Sequence, residues 1–447
     1  MAGTGVAPTV RAERIDTLDI VRGFALFGIL LMNIVGMGLA QQAYFNPAAT
    51  GDPTQSELTT WFITHTFFEG SMRTLFSMLF GAGFVLLLDR LDAKNLGLGG
   101  AKIYMRRMLF LMLFGLINMG LLAWYGDIVF AYGVCGIFLL VFYKSKLRGL
   151  IIWAAIFFAM TSLFNAGGGY KAGKLADATA EAELVLEAGE ILTEEQESAI
   201  ENFAEMSEFF TSDPDVVADG VAHYEDGWLA VGGHNLGEFF TMGLGMMIPF
   251  LLLDPLAAML LGMIAFRIGL LRGEWGWKSV LALTAVALAI GIPVNLRETM
   301  IIQDGGFTVE AIFQSLATYD LGRVSLAFAW LGIFLLLAKT PLFGVLKATV
   351  GAVGRMALTN YLGHSLMAAI FFLGMGYFGQ LGRDELYLVV AAMWAINIVV
   401  SVVWLSVFSM GPLEWLWRAG TYGTWPKLFK SKPAPEPVRE PVSEAGT

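Results

Sequence analysis

Charged and amide side chains interrupt an otherwise apolar segment near the start of the chain, LDIVRGFALFGILLMN. Asp19 and Arg22 lie one helical turn apart, and Asn33 follows Arg22 by eleven residues, close to three turns. On a helix the three side chains share a face, with Arg22 and Asn33 about 16 Å apart along the axis. The stripe indicates a ligand site. The alternative is an Asp19–Arg22 pair that reaches the lipid headgroups while Asn33 joins two helices.

A second set of polar residues, His65, Glu69 and Arg73, recurs at spacings of four. That spacing predicts one face of a helix, on which Glu69 would orient His65 and Arg73 would fix Glu69. A histidine positioned in this way is a candidate general base. The alternative is a buried ion network that only stabilises the protein. Gly70 is expected to break the helix and free backbone groups into a cavity.

Other polar residues lie in the stretches WYGDIVFAYG and GRMALTNYLGHS. His364, taken alone, fits a hydrogen-bonded histidine inside a helix better than a ligand-binding residue. With one cysteine, Cys135, and four dispersed histidines, no metal site is predicted. The candidate substrate-binding residues are Asp19, Arg22, Arg73, Tyr125, Asp127, Arg355, Asn360, Tyr361 and His364.

Long apolar runs must position these residues. Hydrophobic residues make up 56% of the 447 residues, charged residues only 15%, and the apolar excess comes in blocks of about 20 residues, the length of a membrane-spanning helix. Lipid offers no partners for open sheet edges, so the blocks predict an all-α, polytopic bundle of about ten transmembrane helices. The predicted spans are 18–40, 59–88, 104–124, 128–143, 147–164, 250–271, 278–295, 321–338, 355–378 and 386–410.

Charge distribution predicts the orientation of the bundle. Lys and Arg concentrate in every second loop, which places both termini in the cytoplasm. Fourteen acidic residues and one lysine lie between Gly173 and Gly220, a local charge of −13. The net charge of the whole chain is −10, so its acidity comes from this one extracytoplasmic insertion. Thr193 and Gln196 form a capping-box pattern that predicts a short exposed helix there. The insertion is either a solvated lobe or a vestibule that attracts cations.

These features divide the chain into six regions. No nucleotide-binding glycine fingerprint and no nucleic-acid patch are evident. The regions are a cytoplasmic segment (1–17), an N-terminal five-helix membrane region (18–164), the acidic extracytoplasmic loop (165–235), a C-terminal five-helix membrane region (236–410), an interfacial aromatic segment (411–430) and a disordered tail (431–447).

Five motifs in order, from LDIVRGFALFGILLMNI to GPLEWLWRAGTYG, resemble the DUF418 or YeiB-like family of bacterial inner-membrane proteins. The resemblance implies a multi-pass protein of the bacterial inner membrane, and it places 236–410 in the DUF418-like part. The opening LDxxRGxA pattern is also distantly similar to transmembrane acyltransferases of the acyltransferase-3 and heparan-α-glucosaminide N-acetyltransferase families. Those families carry a catalytic histidine on or soon after this helix, whereas AYFNPA after Asn33 contains none.

The acyltransferase likeness implies a reaction. Arg22 and Arg355, with Arg106 and Arg107, would bind the phosphates of a cytoplasmic acyl-CoA, and the pantetheine would reach Asn33 through a polar passage. Asn33 would stabilise the thioester oxygen, and His65, oriented by Glu69, would deprotonate the acceptor. The expected acceptor is a small molecule, a glycan or a lipid. Membrane lipids are expected partners, and a homodimer is compatible with the sequence. The alternatives are a transporter or channel for a small solute and a non-catalytic lipid-binding protein.

Overall fold

The apolar runs fold into helices whose backbone groups bond within the segment, as lipid requires. The computed structural model describes residues 16–95, 98–208, 210–241 and 248–430. Within these ranges the regular elements are helical, apart from one isolated bridge between Phe408 and Phe429. The predicted all-α, polytopic architecture is confirmed.

The helices differ widely in length. Two 3₁₀ turns (Gln41–Tyr44 and Pro47–Thr50) follow the first helix, and π-helical turns occupy Ile248–Leu253 and Ala369–Gly374. The α-helices are α1 (Asp16–Gly38), α2 (Gln55–Phe68), α3 (Ser71–Ala93), α4 (Leu98–Gly120), α5 (Val129–Phe142), α6 (Leu147–Glu187), α7 (Glu194–Ser207), α8 (Pro214–Ala222), α9 (Trp228–Thr241), α10 (Asp254–Arg267), α11 (Trp277–Asp304), α12 (Val309–Ser315), α13 (Tyr319–Lys339), α14 (Gly344–Arg355), α15 (Ala357–Ala368), α16 (Leu386–Val407) and α17 (Pro412–Tyr422).

Eight helical segments of the described chain are long and apolar enough to cross a membrane. They comprise α1, the α2–α3 pair, α4, α6, α11, α13, α15 with its π-helical turn, and α16. The shorter apolar helix α5 coincides with the predicted span 128–143, and α10 with the π-helical turn before it overlaps the predicted span 250–271. The protein is therefore a multi-pass membrane protein.

Contacts between loops bring the basic segments to one end of the bundle, here called the basic end. Arg267 at the end of α10 donates to the carbonyl oxygens of Tyr143 and Ser145 before α6. Lys339 at the end of α13 donates to the carbonyl of Gly273, 3.1 Å away, before α11. The acidic segment lies at the opposite end, here called the acidic end.

The fifth predicted span does not end at Phe164. Instead α6 continues to Glu187, 41 residues in all, or about 60 Å, twice the thickness of the hydrocarbon core. Its second half is rich in Ala and Glu, strong helix formers, so the acidic segment leaves the membrane as a helix. The predicted loop is therefore largely helical, and the capping box of Thr193 and Gln196 that begins α7 is confirmed.

Small residues let the central helices approach closely. A Cβ atom at Gly81 of α3 would clash with the carbonyl group of Met259 on α10, and one at Gly262 of α10 would clash with that of Met78. Gly354 of α14 meets the backbone of α1 at Asp19 in the same way. These contacts fix α3 against α10 and α14 against α1.

Candidate functional site

At the basic end, an arginine on α4 lies within electrostatic range of arginines on two other helices. Arg107 of α4 interacts electrostatically with Arg22 of α1 and Arg418 of α17, a set called here the arginine cluster. Arg22 donates to Asp19 over 2.8 Å, and its side chain keeps 28% of its accessible area. The Arg107 guanidinium lies 3.5 Å from the ring centroid of Trp417. The cluster thus places guanidinium groups beside an aromatic ring, one face of which Arg107 covers.

The cluster contains two of the arginines that the acyltransferase resemblance implied. Arg106 is directed elsewhere and donates to the carbonyl of Gly420 over 2.5 Å. Arg355 ends α14 beside Gly354, which packs on the α1 backbone at Asp19. Arg418 was expected from its spacing to pair with Glu414 and was not proposed as a ligand-binding residue, because its helix was interpreted as an interfacial aromatic segment.

The polar stripe on α1 is interrupted. Between Arg22 and Asn33, the positions on the same side are Leu26, Ile29 and Leu30, at 0%, 5% and 0% exposure, and all three belong to packed apolar clusters. Asn33 is half-buried and has no hydrogen bond to another described residue. The expected polar passage from Arg22 to Asn33 is therefore closed by hydrocarbon in this structure.

The α2–α3 pair breaks where the sequence predicted it. Glu69 ends α2, and Gly70 adopts φ = 63°, a left-handed conformation that glycine tolerates without a steric penalty. A Cβ atom at Gly70 would also clash with the hydroxyl of Tyr319. Because of the break, His65, Glu69 and Arg73 do not share one helix face.

Glu69 is bound by two tyrosines rather than by His65. Its carboxylate accepts from the hydroxyls of Tyr44 over 2.8 Å and Tyr319 over 3.2 Å. His65 stacks on Trp61, with ring centroids 5.0 Å apart. The expected His65–Glu69–Arg73 relay is therefore wrong. A helix-spacing argument could not detect this, since it assumes an unbroken helix.

Arg73 instead belongs to a buried ion network with Asp254, Arg323 and Asp320. Both arginines bind the Asp254 carboxylate, and Arg323 also donates to Asp320 over 2.5 Å and 3.1 Å. The Arg323 side chain is 2% exposed, whereas that of Arg73 keeps 31% of its accessible area. The network thus has one accessible end, on α3.

Hydroxyl groups complete this network. Thr161 and Ser162 of α6 donate to Asp320 over 2.7 and 2.8 Å, and Arg323 donates to Thr74 over 2.8 Å. The sequence analysis did not single out Asp254, Arg323 or Asp320. Ionisable residues within or at the edge of predicted spans were the available signal.

Tyr387 of α16 connects the region of Asn33 with that of His65. Its hydroxyl donates to the carbonyl of Leu31 on α1 over 3.0 Å and is hydrogen-bonded to the Thr64 side chain on α2. Arg383, just before α16, interacts electrostatically with His65 and donates to the carbonyl of Ala43. Tyr387 therefore links α1 at Leu31 to α2 at Thr64.

The remaining candidates make contacts between helices. Asp127 accepts from Asn118 over 2.8 Å and from the Phe130 backbone over 2.7 Å, and its burial raises the pKa of the carboxyl to about 6. Tyr125 packs against α1 at Gly36. These contacts give Asp127 and Tyr125 a structural role in the loop before α5.

The three candidate residues on α15 are likewise occupied. Asn360 donates to Ser401 over 2.9 Å, and His364 contacts Asn397, both on α16. Tyr361 accepts from the backbone of Ile128 over 3.3 Å. Among the described residues, no group of three or more His, Cys, Asp or Glu side chains is arranged to bind a metal.

Comparison with known proteins gives the family. The profile described as "Protein of unknown function (DUF418)" matches residues 265–424, from the end of α10 through α17. The chain is 32% identical to the "Uncharacterized protein YeiB" of Escherichia coli (strain K12), over 91% of this chain and 96% of the relative. It is 29% identical to the "Uncharacterized protein YxaH" of Bacillus subtilis (strain 168), over 96% of this chain and 99% of the relative. No solved structure matches the chain. The protein belongs to the DUF418 family.

Proposed function

We propose that the protein is an acyltransferase of the bacterial cytoplasmic membrane, which takes its acyl group from acyl-CoA at the basic end. The basic end then faces the cytoplasm, in agreement with the positive-inside rule. The arginine cluster is the observation that carries the proposal. Acyl-CoA is a polyphosphate with an adenine ring, and guanidinium groups beside aromatic faces suit both parts.

Each part of the donor has a proposed contact. Arg22 and Arg107 would bind phosphates by charge-assisted hydrogen bonds, and the Trp417 face would lie close to the adenine. The pantetheine would then follow α1 towards Asn33. Because Leu26 and Leu30 close that route here, binding of the donor has to separate α1 from its neighbours.

The chemical step is attack of an acceptor hydroxyl or amine on the thioester carbonyl carbon. The new C–O or C–N bond forms as the C–S bond breaks, and the acceptor proton passes to His65 and then to the departing thiolate. Asn33 donates a hydrogen bond to the carbonyl oxygen as negative charge develops. Glu69 with Tyr44 and Tyr319 offers hydrogen bonds for a small-molecule, glycan or lipid acceptor from the acidic end.

Donor binding tests the proposal directly. The full-length protein in lipid nanodiscs is titrated with radiolabelled acetyl-CoA, and unlabelled CoA and dephospho-CoA are used as competitors. Saturable binding is expected, weakened about tenfold or more in Arg22→Gln and Arg107→Gln, since each loses a charge-assisted contact. Arg272→Gln is the matched control, because Arg272 lies at the same end but pairs with Glu274 on the surface.

Transfer is measured second, as label passed to a membrane extract that supplies acceptors. His65→Gln and Asn33→Ala should keep donor binding and lose transfer. Absence of acetyl-CoA binding by the wild type, or binding unchanged in both arginine variants, would overturn the proposal.

Transport of a small solute is a second candidate, favoured by where the helices break. The Gly70 break and the π-helical turn at Ile248–Leu253 both adjoin the buried ion network, and interrupted helices around buried charge are typical of transporter sites. Solute flux into proteoliposomes without any acyl donor would support this function. Loss of that flux in Arg73→Gln would locate the transport site at the buried ion network.

A further inference from the structure

A cleft of about 710 Å³ opens on the side of the bundle between α11 and α12, away from the sites described above. Pro293, Leu296 and Met300 form an apolar wall on α11. Arg297, Asp304 and Glu310 add charges of both signs to the same cleft. An apolar wall beside a cation and two carboxylates is an amphipathic surface.

Two neighbouring helices give the depth of the cleft in the membrane. Arg297 lies 19 residues after Lys278 at the basic end, or about 28 Å along α11, close to the thickness of the hydrocarbon core. Phe313 of α12 packs against Gly168 and Gly169 of α6. Gly168 is 21 residues beyond Leu147 at the start of α6, or about 32 Å. Both measures place Arg297 and α12 at the boundary between hydrocarbon and headgroups on the acidic side.

Arg297 requires a partner at this depth. Its side chain is exposed on α11, and within the described residues its charged neighbour is the buried Glu298, which interacts with it electrostatically without forming an ion pair. A guanidinium at the edge of the hydrocarbon is stabilised by reaching a phosphate in the headgroup layer. Pro293 and Leu296 lie on the membrane side of Arg297, where an acyl chain would pass, whereas Met300 lies about 4.5 Å further towards the acidic end.

The acidic residues lie further out. Asp304 follows Arg297 by seven residues, two helical turns, and therefore shares its face of α11 about 10 Å nearer the acidic end. Glu310 occupies the first turn of α12 on the opposite wall. From the membrane outwards, the order is thus hydrocarbon wall, cation, anions, which matches acyl chain, phosphate and ammonium in a zwitterionic phospholipid.

We propose that this cleft binds one phospholipid with a primary-amine headgroup, of the phosphatidylethanolamine type. Arg297 binds the phosphate, Asp304 and Glu310 bind the ammonium group, and one acyl chain lies against Pro293 and Leu296. The site is independent of the proposed acyl transfer. The site should prefer phosphatidylethanolamine to phosphatidylglycerol because only the former has a positive charge for the two carboxylates. It should prefer phosphatidylethanolamine to phosphatidylcholine because only the primary ammonium has hydrogens to donate to the carboxylates.

Native mass spectrometry of the full-length protein tests the site. The detergent-purified protein is titrated with phosphatidylethanolamine, phosphatidylglycerol or phosphatidylcholine bearing identical acyl chains. The wild type should bind the first about tenfold more tightly than the other two. Arg297→Gln should weaken the binding of phosphatidylethanolamine about tenfold. The double variant Asp304→Asn/Glu310→Gln should abolish the preference for phosphatidylethanolamine over phosphatidylglycerol.

Controls distinguish this site from general lipid adhesion. Lys278→Gln removes a charge at the other end of α11 and should leave all three affinities unchanged, and size-exclusion profiles confirm folding of each variant. Glycerophosphoethanolamine, which lacks acyl chains, should not compete at equal concentration. Equal binding of the three lipids, unchanged binding in Arg297→Gln, or full competition by the chain-free headgroup would each overturn the proposal.

Discussion

Arg323 and Asp254 form an ion pair in which both side chains are nearly excluded from solvent, at 2% and 5% exposure. Such a pair is tolerated only when further hydrogen bonds satisfy both partners. Here Arg73, Asp320 and Thr74 supply them, and the pair joins α10 to α13. The buried ion pair thus connects α10 to α13 within the apolar part of the bundle.

Removal of one partner should therefore be costly. Asp254→Asn leaves the Arg323 guanidinium buried without its main counter-charge, and we expect a loss of about 3–5 kcal/mol in the free energy of unfolding. The melting temperature of the purified protein in detergent measures the effect. The exposed pair Arg272–Glu274 offers a control, because Glu274→Gln should cost at most about 1 kcal/mol. Equal melting temperatures for the two variants would contradict the role of the network.

The contact between α3 and α10 makes a second prediction. Gly262 has no room for a side chain because the carbonyl of Met78 lies against it, so Gly262→Val should separate the helices and lower the melting temperature strongly. Gly83 on α3 has nothing within 4 Å of its Cβ position. Gly83→Val, the same chemical change, should be nearly neutral. A neutral Gly262→Val would show that the two helices do not pack this closely.

Sequence reasoning succeeded where a single physical rule decides the outcome. Span length and the need to satisfy backbone groups predicted the helical bundle, and Thr193 with Gln196 predicted the start of α7. It failed where the partner of a residue comes from a distant helix. Spacing placed Glu69 beside His65, whereas the break at Gly70 turns Glu69 towards Tyr44 and Tyr319.

The same reason explains the ion network and the closed stripe. Asp254 and Arg323 are 69 residues apart, and no periodicity relates them. The stripe on α1 was read from polar residues alone, but the buried Leu26 and Leu30 between them decide whether it forms a passage. Only the packing of neighbouring helices settles that question.

A stacked histidine pair gives the segment α8–α9 a pH dependence. The rings of His223 and His234 lie 3.9 Å apart, Glu238 pairs with His234, and Asp226 lies nearby. Burial, and then the neighbouring His234, lower the pKa of His223 below its usual 6.5. The folded segment therefore binds fewer protons than the unfolded one as the pH falls through 6.5, so its stability should fall there and be constant above about pH 7.5.

Hydrogen–deuterium exchange of residues 214–241 at pH 7.5 and pH 5.5, corrected for intrinsic rates, measures this effect. Exchange should be faster at pH 5.5 in the wild type, and His223→Gln should remove much of the difference. The amides of α3, remote from the pair, serve as an internal reference. An equal pH response in His223→Gln would assign the effect to other groups.

Substitution of Glu69 tests whether this residue binds the acceptor or only stabilises the fold. Glu69→Gln keeps the size and one acceptor oxygen but loses the charge that Tyr44 and Tyr319 share, so the cost in stability should be small, roughly 1–2 kcal/mol. If Glu69 binds the acceptor, transfer of label from acetyl-CoA should fall tenfold or more while acetyl-CoA binding stays unchanged. Tyr361→Phe is the control, because its hydroxyl touches only the loop before α5, and it should leave transfer intact. A loss of melting temperature with no separate loss of transfer would make Glu69 a structural residue and would leave the acceptor site to be sought around Arg73.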